Sequence, residues 1–353
     1  MPAVTHPTSM DRPLVAAVLA GGVGSRLYPA SRSHRPKQFL PLAEGESAAG
    51  DGDTLLERTV ARADFADEVV VATRPAFADA VRETVPEATV VVEPAGKDTG
   101  PALTYVTHRI AERVDDPVVL ALPSDHHVAG DFETPARRGA RVAAETGALV
   151  TFGVEPDRPE TGYGYVEPGR ERDGYAEVAA FHEKPDAVTA REYVDRGYYW
   201  NAGIFAWTPA AFLGAAGAPD SPLAPLVDAL DRGDPEAGFA AVDPVSVDYA
   251  VFERAENVAV VPLTVEWDDL GSWDALRRVL PTDGNGTVVA GGAEVRSVDA
   301  ANNVVAGDDV HVSLVGVEDL AVVAYDDRVL VVPTDAAQRV RELVDELKRR
   351  EEF

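Results

Sequence analysis

Five apolar runs, Leu14–Ala20, Glu68–Thr73, Thr89–Glu93, Val118–Pro123 and Leu149–Gly153, constrain this chain more than any other feature. Rich in valine and alanine, they read as buried strands. Amphipathic stretches separate them, near Thr54–Phe65, Pro75–Val85, Thr99–Val114 and Phe132–Thr146. Alternation of this kind predicts an α/β fold, Rossmann-like, with a mixed and mostly parallel sheet that binds ligands at the carboxyl ends of its strands. From Thr161 to about Thr208 the pattern changes to short strands rich in glycine and aromatic residues, and Asp248–Glu256 and Gly271–Leu280 look helical. After Pro281 the turn Thr-Asp-Gly-Asn-Gly opens a series of short valine-rich strands that runs to Pro333. These predict a small β module resembling a few turns of a β-helix. A terminal helix with Val340, Leu343, Val344 and Leu347 on one face caps it. No strict internal repeat is read from the sequence. The expected domains are a flexible tail at 1–13, a catalytic domain at 14–281 and the β module at 282–353, with Glu44–Asp53 as a mobile surface loop.

The glycines after the first run, in Leu19-Ala20-Gly21-Gly22-Val23-Gly24-Ser25-Arg26-Leu27, let backbone N–H groups approach phosphate oxygens, and Arg26 adds charge. The loop fits neither common nucleotide motif. It lacks the Gly-Lys-Ser/Thr of a P-loop, and a dinucleotide fingerprint begun at Gly22 fails at Leu27. Taken alone, it is as consistent with a tight strand-to-helix turn as with a binding site. Arg32, Arg35 and Lys37 follow closely, however, and a basic cluster behind a glycine loop points to a polyphosphate.

That cluster matters because the chain is so acidic: 60 Asp and Glu stand against 32 Lys and Arg, a formal net charge of -28. Such a surface is a poor partner for nucleic acid and suits high salt, so a halophile's cytoplasm is the expected setting. There is no cysteine, hence no disulfide and no thiolate metal site. Leu14–Ala20 is too short to span a bilayer and lacks the basic flank of a signal peptide, so no membrane partner is expected. Only four basic residues are lysines, Lys37, Lys97, Lys184 and Lys348. A surface that has replaced lysine so widely should keep it mainly where a compact ammonium is needed.

The glycine loop, with Arg35-Pro36-Lys37-Gln38-Phe39, resembles the signature of the sugar nucleotidyltransferases, and in its second part the branch that acts on mannose 1-phosphate. Five further segments continue the resemblance in order. They are Glu93-Pro94-Ala95-Gly96-Lys97-Asp98-Thr99-Gly100-Pro101, Pro123-Ser124-Asp125-His126-His127, Thr161-Gly162-Tyr163-Gly164-Tyr165 with Phe181-His182-Glu183-Lys184-Pro185, Trp200-Asn201-Ala202-Gly203, and Trp267-Asp268-Asp269-Leu270-Gly271-Ser272-Trp273. The resemblance implies a GT-A-like catalytic domain that transfers GMP from GTP to mannose 1-phosphate, giving GDP-mannose and pyrophosphate. It implies a nucleotide site at Leu19, Ala20, Gly21, Gly22, Gly24, Ser25, Arg26, Thr99 and Pro101. Sugar-phosphate contacts fall to Tyr163, Gly164, Glu183, Lys184 and Asn201, and Mg²⁺ ligands to Asp125 and Asp269. Arg26, Lys37, Asp125, Lys184 and Asp269 would carry catalysis.

At Lys97, Asp98 and Gly100 the chain departs from the family's usual Arg-Asn-Thr-Ala-Pro, which bears on base recognition. Asp98 or Thr99 also suits a helix N-cap, with Pro101 in the first turn. His126 and His127 have no third ligand spaced for zinc and are expected to shape the turn or touch phosphate. Rival readings are a glucose-1-phosphate enzyme using UTP or dTTP, a silent regulatory homologue, and a dinucleotide oxidoreductase. Some family members add an isomerase domain, which a chain ending at Phe353 is expected to lack. Self-association as a homodimer is left open.

Overall fold

The computed structural model describes residues 12–42 and 52–353; most of the expected tail and of the expected loop at Glu44–Asp53 lies outside the described residues. The chain forms two compact units that are interleaved along the sequence and do not meet at 281/282. One comprises residues up to Gly21 with Arg62–Pro123 and Gly130–Val265; the other comprises Gly22–Ala61, Ser124–Ala129 and Glu266–Phe353.

The first unit is built on a nine-stranded sheet. Its strands run in the order Thr89–Val92, Glu68–Thr73, Leu14–Leu19, Val118–Pro123, Tyr199–Trp207, Leu149–Val154, Val258–Pro262, Tyr175–His182 and Tyr165–Arg172. The first four are parallel, Tyr199–Trp207 runs against both of its neighbours, and Leu149–Val154 pairs parallel with Val258–Pro262. The five apolar runs thus become strands within a residue or two of their expected bounds. The central ones are buried because helices Thr99–Ala111 and Glu133–Thr146 pack on the sheet, whereas Thr89–Val92, at its edge, is only half-buried. The strands between Thr161 and Thr208 are not short: they hold eight or nine residues and extend this same sheet. The core closes on Phe205, Trp207, Phe212 and Phe252, with ring centroids of Trp207 and Phe212 4.1 Å apart.

In the second unit, Val288–Gly291, Val304–Gly307 and Leu320–Tyr325 stack in parallel, and Arg328–Pro333 closes the edge in the opposite sense. A second parallel pair, Glu294–Val298 with His311–Val315, forms another face. The coils repeat in space: Val288 lies beside Val304 and Val304 beside Ala321, a pitch of 16 and then 17 residues that the sequence does not keep strictly. Corners are made by Asp299, Asn302, Asp309 and Asp319, all at positive φ, where a short polar side chain tolerates the left-handed conformation. Asn303 is wholly buried. Its amide donates to the carbonyl of Val317 and accepts from the N–H of Leu320, so the coil interior keeps its polar groups satisfied.

The terminal helix spans Val340–Arg349 and buries Val340 and Val344, whereas Leu343, expected on the same face, is exposed. Among the described residues no helix is long and apolar enough to cross a membrane.

Candidate active site

The glycine loop of the second unit exists to accommodate a lysine. Gly24 has φ +72°, and a Cβ on it would lie 2.4 Å from Cβ of Lys37, so only glycine lets Lys37 pack against the loop. The Lys37 side chain is 4% exposed, and a buried ammonium must be paired. Its Nζ donates to Oδ2 of Asp125 at 2.9 Å and to the backbone carbonyl of Asp269 at 2.6 Å. Burial disfavours the charged form of Asp125, but Lys37 and His126 outweigh it and hold the carboxyl below its usual range.

Asp269 accepts from the N–H of Gly271 at 2.9 Å. Its neighbour Asp268 is buried and takes the guanidinium fork of Arg278, Nε at 2.6 Å and Nη2 at 3.3 Å. Of two adjacent carboxylates, then, one anchors the loop and the other lines the cavity. Gly24, Ser25, Arg26, Lys37, Asp125 and Asp269 together line this cavity of about 400 Å³. Arg26 is aimed by Gln338, whose Oε1 accepts from Nη1 at 2.8 Å. Burial holds the His126 imidazole below its ordinary range, and its ring meets Trp267 edge-on at 5.4 Å, as befits a residue that shapes the turn.

Among the described residues no group of three or more His, Asp or Glu cages a metal. Two hard oxygen ligands on one cavity nevertheless suit Mg²⁺, which takes the rest of its coordination from water and substrate phosphates.

The expected sugar residues gather in the first unit. A Cβ on Gly164 would come within 2.7 Å of Oε2 of Glu183, so the glycine makes room for that carboxylate. Lys184 has φ +45° and its N–H donates to the carbonyl of Tyr163 at 3.2 Å. Its ammonium pairs with Glu183, and the side chain is 60% exposed. Tyr163 is buried, edge-on to Trp200 at 5.2 Å.

Asn201 sits where the register between its strand and Leu149–Val154 shifts. Its Oδ1 accepts from Oγ1 of Thr151 at 2.9 Å and from the N–H of Gly203 at 3.2 Å, and Nδ2 donates to Oδ1 of Asp248 at 2.8 Å. The amide carbonyl is therefore saturated within the protein, which leaves a sugar hydroxyl only the second hydrogen on Nδ2. Asp248 escaped the sequence reading. Burial and then the nearby Glu183 push its carboxyl up to about 6.

Of the expected nucleotide residues, Leu19 ends the first strand and Ala20 and Gly21 follow it, with Ala20 bound to Ala72 and Thr73; Gly22 falls in the second unit. A Cβ on Gly21 would lie 3.1 Å from Oε1 of Glu93. Glu93 is 5% exposed, its Oε2 has no hydrogen-bond partner among the described residues, and burial pushes it up to about 7 against the pull of Arg74. A polar residue closing a strand gives no sequence hint of such burial.

Asp98 caps the helix Thr99–Ala111 by accepting from the N–H of Thr99. Oγ1 of Thr99 accepts from the N–H of Val247, and Pro101 is buried in the first turn. The departures from the family pattern acquire reasons here. A Cβ at Gly100 would lie 2.7 Å from the carbonyl oxygen of Val245, and Lys97 donates to the carbonyl of Val242 at 2.6 Å as a strut.

Residues 15–285 match the Nucleotidyl transferase family, more than half of the chain. The chain belongs to that family. Residues 293–347 match the MannoseP isomerase/GMP-like beta-helix domain. The chain is 37% identical to mannose-1-phosphate guanylyltransferase of Escherichia coli (strain K12), over 95% of this chain and 73% of that protein. It is 36% identical to xanthan biosynthesis protein XanB of Xanthomonas campestris pv. campestris (strain B100), over 94% of this chain and 72% of that one. The crystal structure of mannose-1-phosphate geranyltransferase from Thermus thermophilus aligns with a TM-score of 0.86 at 35% identity, covering 95% of this nucleotidyl transferase and 99% of the other chain.

Proposed function

We propose that this nucleotidyl transferase joins GTP to α-D-mannose 1-phosphate, forming GDP-mannose and releasing pyrophosphate. The reading is carried by the cavity in which Lys37 is held between Asp125 and the backbone of Asp269 beside Arg26. It is supported by relatives called mannose-1-phosphate guanylyltransferase at 35–37% identity across 95% of the chain.

A phosphate oxygen of mannose 1-phosphate attacks the α-phosphorus of GTP in line. The new P–O bond forms as the bond to the β-phosphate oxygen breaks, and the electron pair leaves with pyrophosphate. The nucleophile has a second pKa of about 6 and is largely dianionic at neutral pH, so no general base is required. The protein's work is positioning and charge neutralisation. Lys37 is aimed in advance by its two acceptors, and Arg26 by Gln338, so both meet developing charge without reorganising. Glu183 accepts from sugar hydroxyls and Lys184 holds the sugar's phosphate. Asp125 and Asp269 would hold Mg²⁺, which when bound neutralises charge on the phosphate oxygens.

GTP, UTP, dTTP and ATP, each assayed against mannose and glucose 1-phosphates, test the reading. Turnover with GTP and mannose 1-phosphate should dominate and disappear on chelation of divalent cations. Preference for UTP or dTTP with glucose 1-phosphate would reassign the enzyme, and activity surviving exhaustive chelation would remove the metal role from Asp125 and Asp269. The excess of 60 acidic over 32 basic residues supports a salty cytoplasm as its setting.

A further inference from the structure

Three of the chain's four lysines fall inside the motifs of the two clusters; the fourth, Lys348, lies on the terminal helix behind the β-helix. That helix has two working stripes. Val340 and Val344 are buried with Leu27, Trp273 and the coil residues Val304 and Val323. Arg341, Asp345 and Lys348, spaced four and three residues apart and so on one face, line the cavity that holds Arg26, Lys37, Asp125 and Asp269. The helix is registered against the glycine loop just before it begins, where Gln338 accepts from Arg26 and donates to Oγ of Ser272 at 3.0 Å.

Four of the eleven residues lining the cavity are Lys or Arg, against 32 of 353 in the whole chain, which is several times the share that chance would give. The charge of Lys37 is already met by Asp125. Arg26, Arg341 and Lys348 remain without a carboxylate partner among the described residues, the Lys348 ammonium lying 5.1 Å from the centroid of the Phe353 ring; they share the cavity with Asp269 and Asp345, and an anion of several charges would complete the set. A guanidinium forks onto phosphate oxygens and an ammonium acts as a point charge; this pairing is suited to a pyrophosphoryl group.

We propose that Arg341 and Lys348 bind the β- and γ-phosphates of the nucleotide and the pyrophosphate that leaves, so that the β-helix module supplies part of the active site. This rests on the guanylyl-transfer reading for the identity of the nucleotide. Asp345, between the two cations on the helix, offsets their mutual repulsion when no phosphate is bound.

The test uses the full-length protein and its Arg341→Gln, Lys348→Met and doubly substituted variants. Pyrophosphate binding is measured by calorimetry with Mg²⁺ present, and the reverse reaction is followed with GDP-mannose and pyrophosphate. Each single variant should weaken pyrophosphate about tenfold, in Kd and in KM, and the double variant about a hundredfold. The KM for GDP-mannose should stay within about twofold, Lys348→Arg should recover most of the loss, and Tm should hold. The proposal is overturned if the double variant binds pyrophosphate as tightly as the wild type, or if the wild type does not bind it. It also fails if both KM values and Tm shift together, because the helix would then act only as a support. A wild type that binds pyrophosphate yet makes no GTP from GDP-mannose would sink the guanylyl-transfer reading and leave the phosphate site standing.

Discussion

The two clusters treat charge in opposite ways. In the second unit Lys37 is 4% exposed and already bound to two acceptors, and its presence keeps the Asp125 carboxyl below the usual range. In the first unit burial pushes Glu93 up to about 7 and Asp248 up to about 6, and Lys184 stands 60% exposed on its strand-end turn. One region is organised around charge before any substrate arrives. The other keeps buried acceptors whose hydrogen-bonding capacity is only partly used. The first arrangement suits electrostatic stabilisation of a transition state, and the second suits recognition, because an unsatisfied acceptor favours the ligand that supplies its donor.

If that contrast holds, the largest effect should come from Lys37→Ala, which removes a prealigned charge. Turnover should fall by about 10² to 10³-fold, as when a preorganised donor is lost, with GTP affinity changed much less. Equal losses in Kd and kcat would make Lys37 a binding residue and erase the distinction.

Glu93 tests the other region through pH. Its folded value of about 7 stands above the ordinary 4.5. Between those two values the folded protein holds a proton that the unfolded chain has released, so stability falls as pH rises through the window. Glu93→Gln should therefore be more stable than the wild type at pH 8, by up to about 3 kcal/mol in urea unfolding, and indistinguishable near pH 4. Parallel pH profiles for the two proteins would mean that Glu93 is not held neutral.

Lys184→Ala should cost about ten- to a hundredfold in kcat/KM for mannose 1-phosphate with GTP binding intact, an exposed docking charge being worth less than a buried one. Loss of GTP binding instead would reverse the assignment of substrates. The smallest effect concerns the surface as a whole. Raising KCl from dilute to molar should lift Tm by a few degrees by screening the charge of -28, and a flat or falling Tm would refute the high-salt reading.

How much of this could be read in advance depended on how local the signal was. The strand Leu14–Leu19 was legible because a strand buried on both faces is an uninterrupted apolar run. The helix Thr99–Ala111 carried its own cap in Asp98. The repeat was visible too, in Val-Val-Ala-Gly at Val288 and again at Val304, but the third coil replaces it with Ala-Val-Val-Ala, and the eye loses the period. Nothing local foretold that Asn201 would spend its carbonyl on Thr151, or that Arg278 would take Asp268 and leave Asp269 to line the cavity. Those outcomes are decided by partners 10 to 50 residues away.

The stacked coils also act as a gauge. A chain wound this way changes height only in whole steps, each about the spacing of neighbouring strands, roughly 4.8 Å. Between the turn after Pro281 and Gln338 the coils measure out a fixed number of such steps, and at the end of the count the Gln338 side chain meets Arg26 at 2.8 Å. A residue or two added at an Asp or Asn corner would bulge outward and leave the count unchanged. A whole coil gained or lost would carry the terminal helix one full step away, farther than a glutamine can reach. Length in this module is therefore quantised: its corners are free to vary, and its number of coils is not.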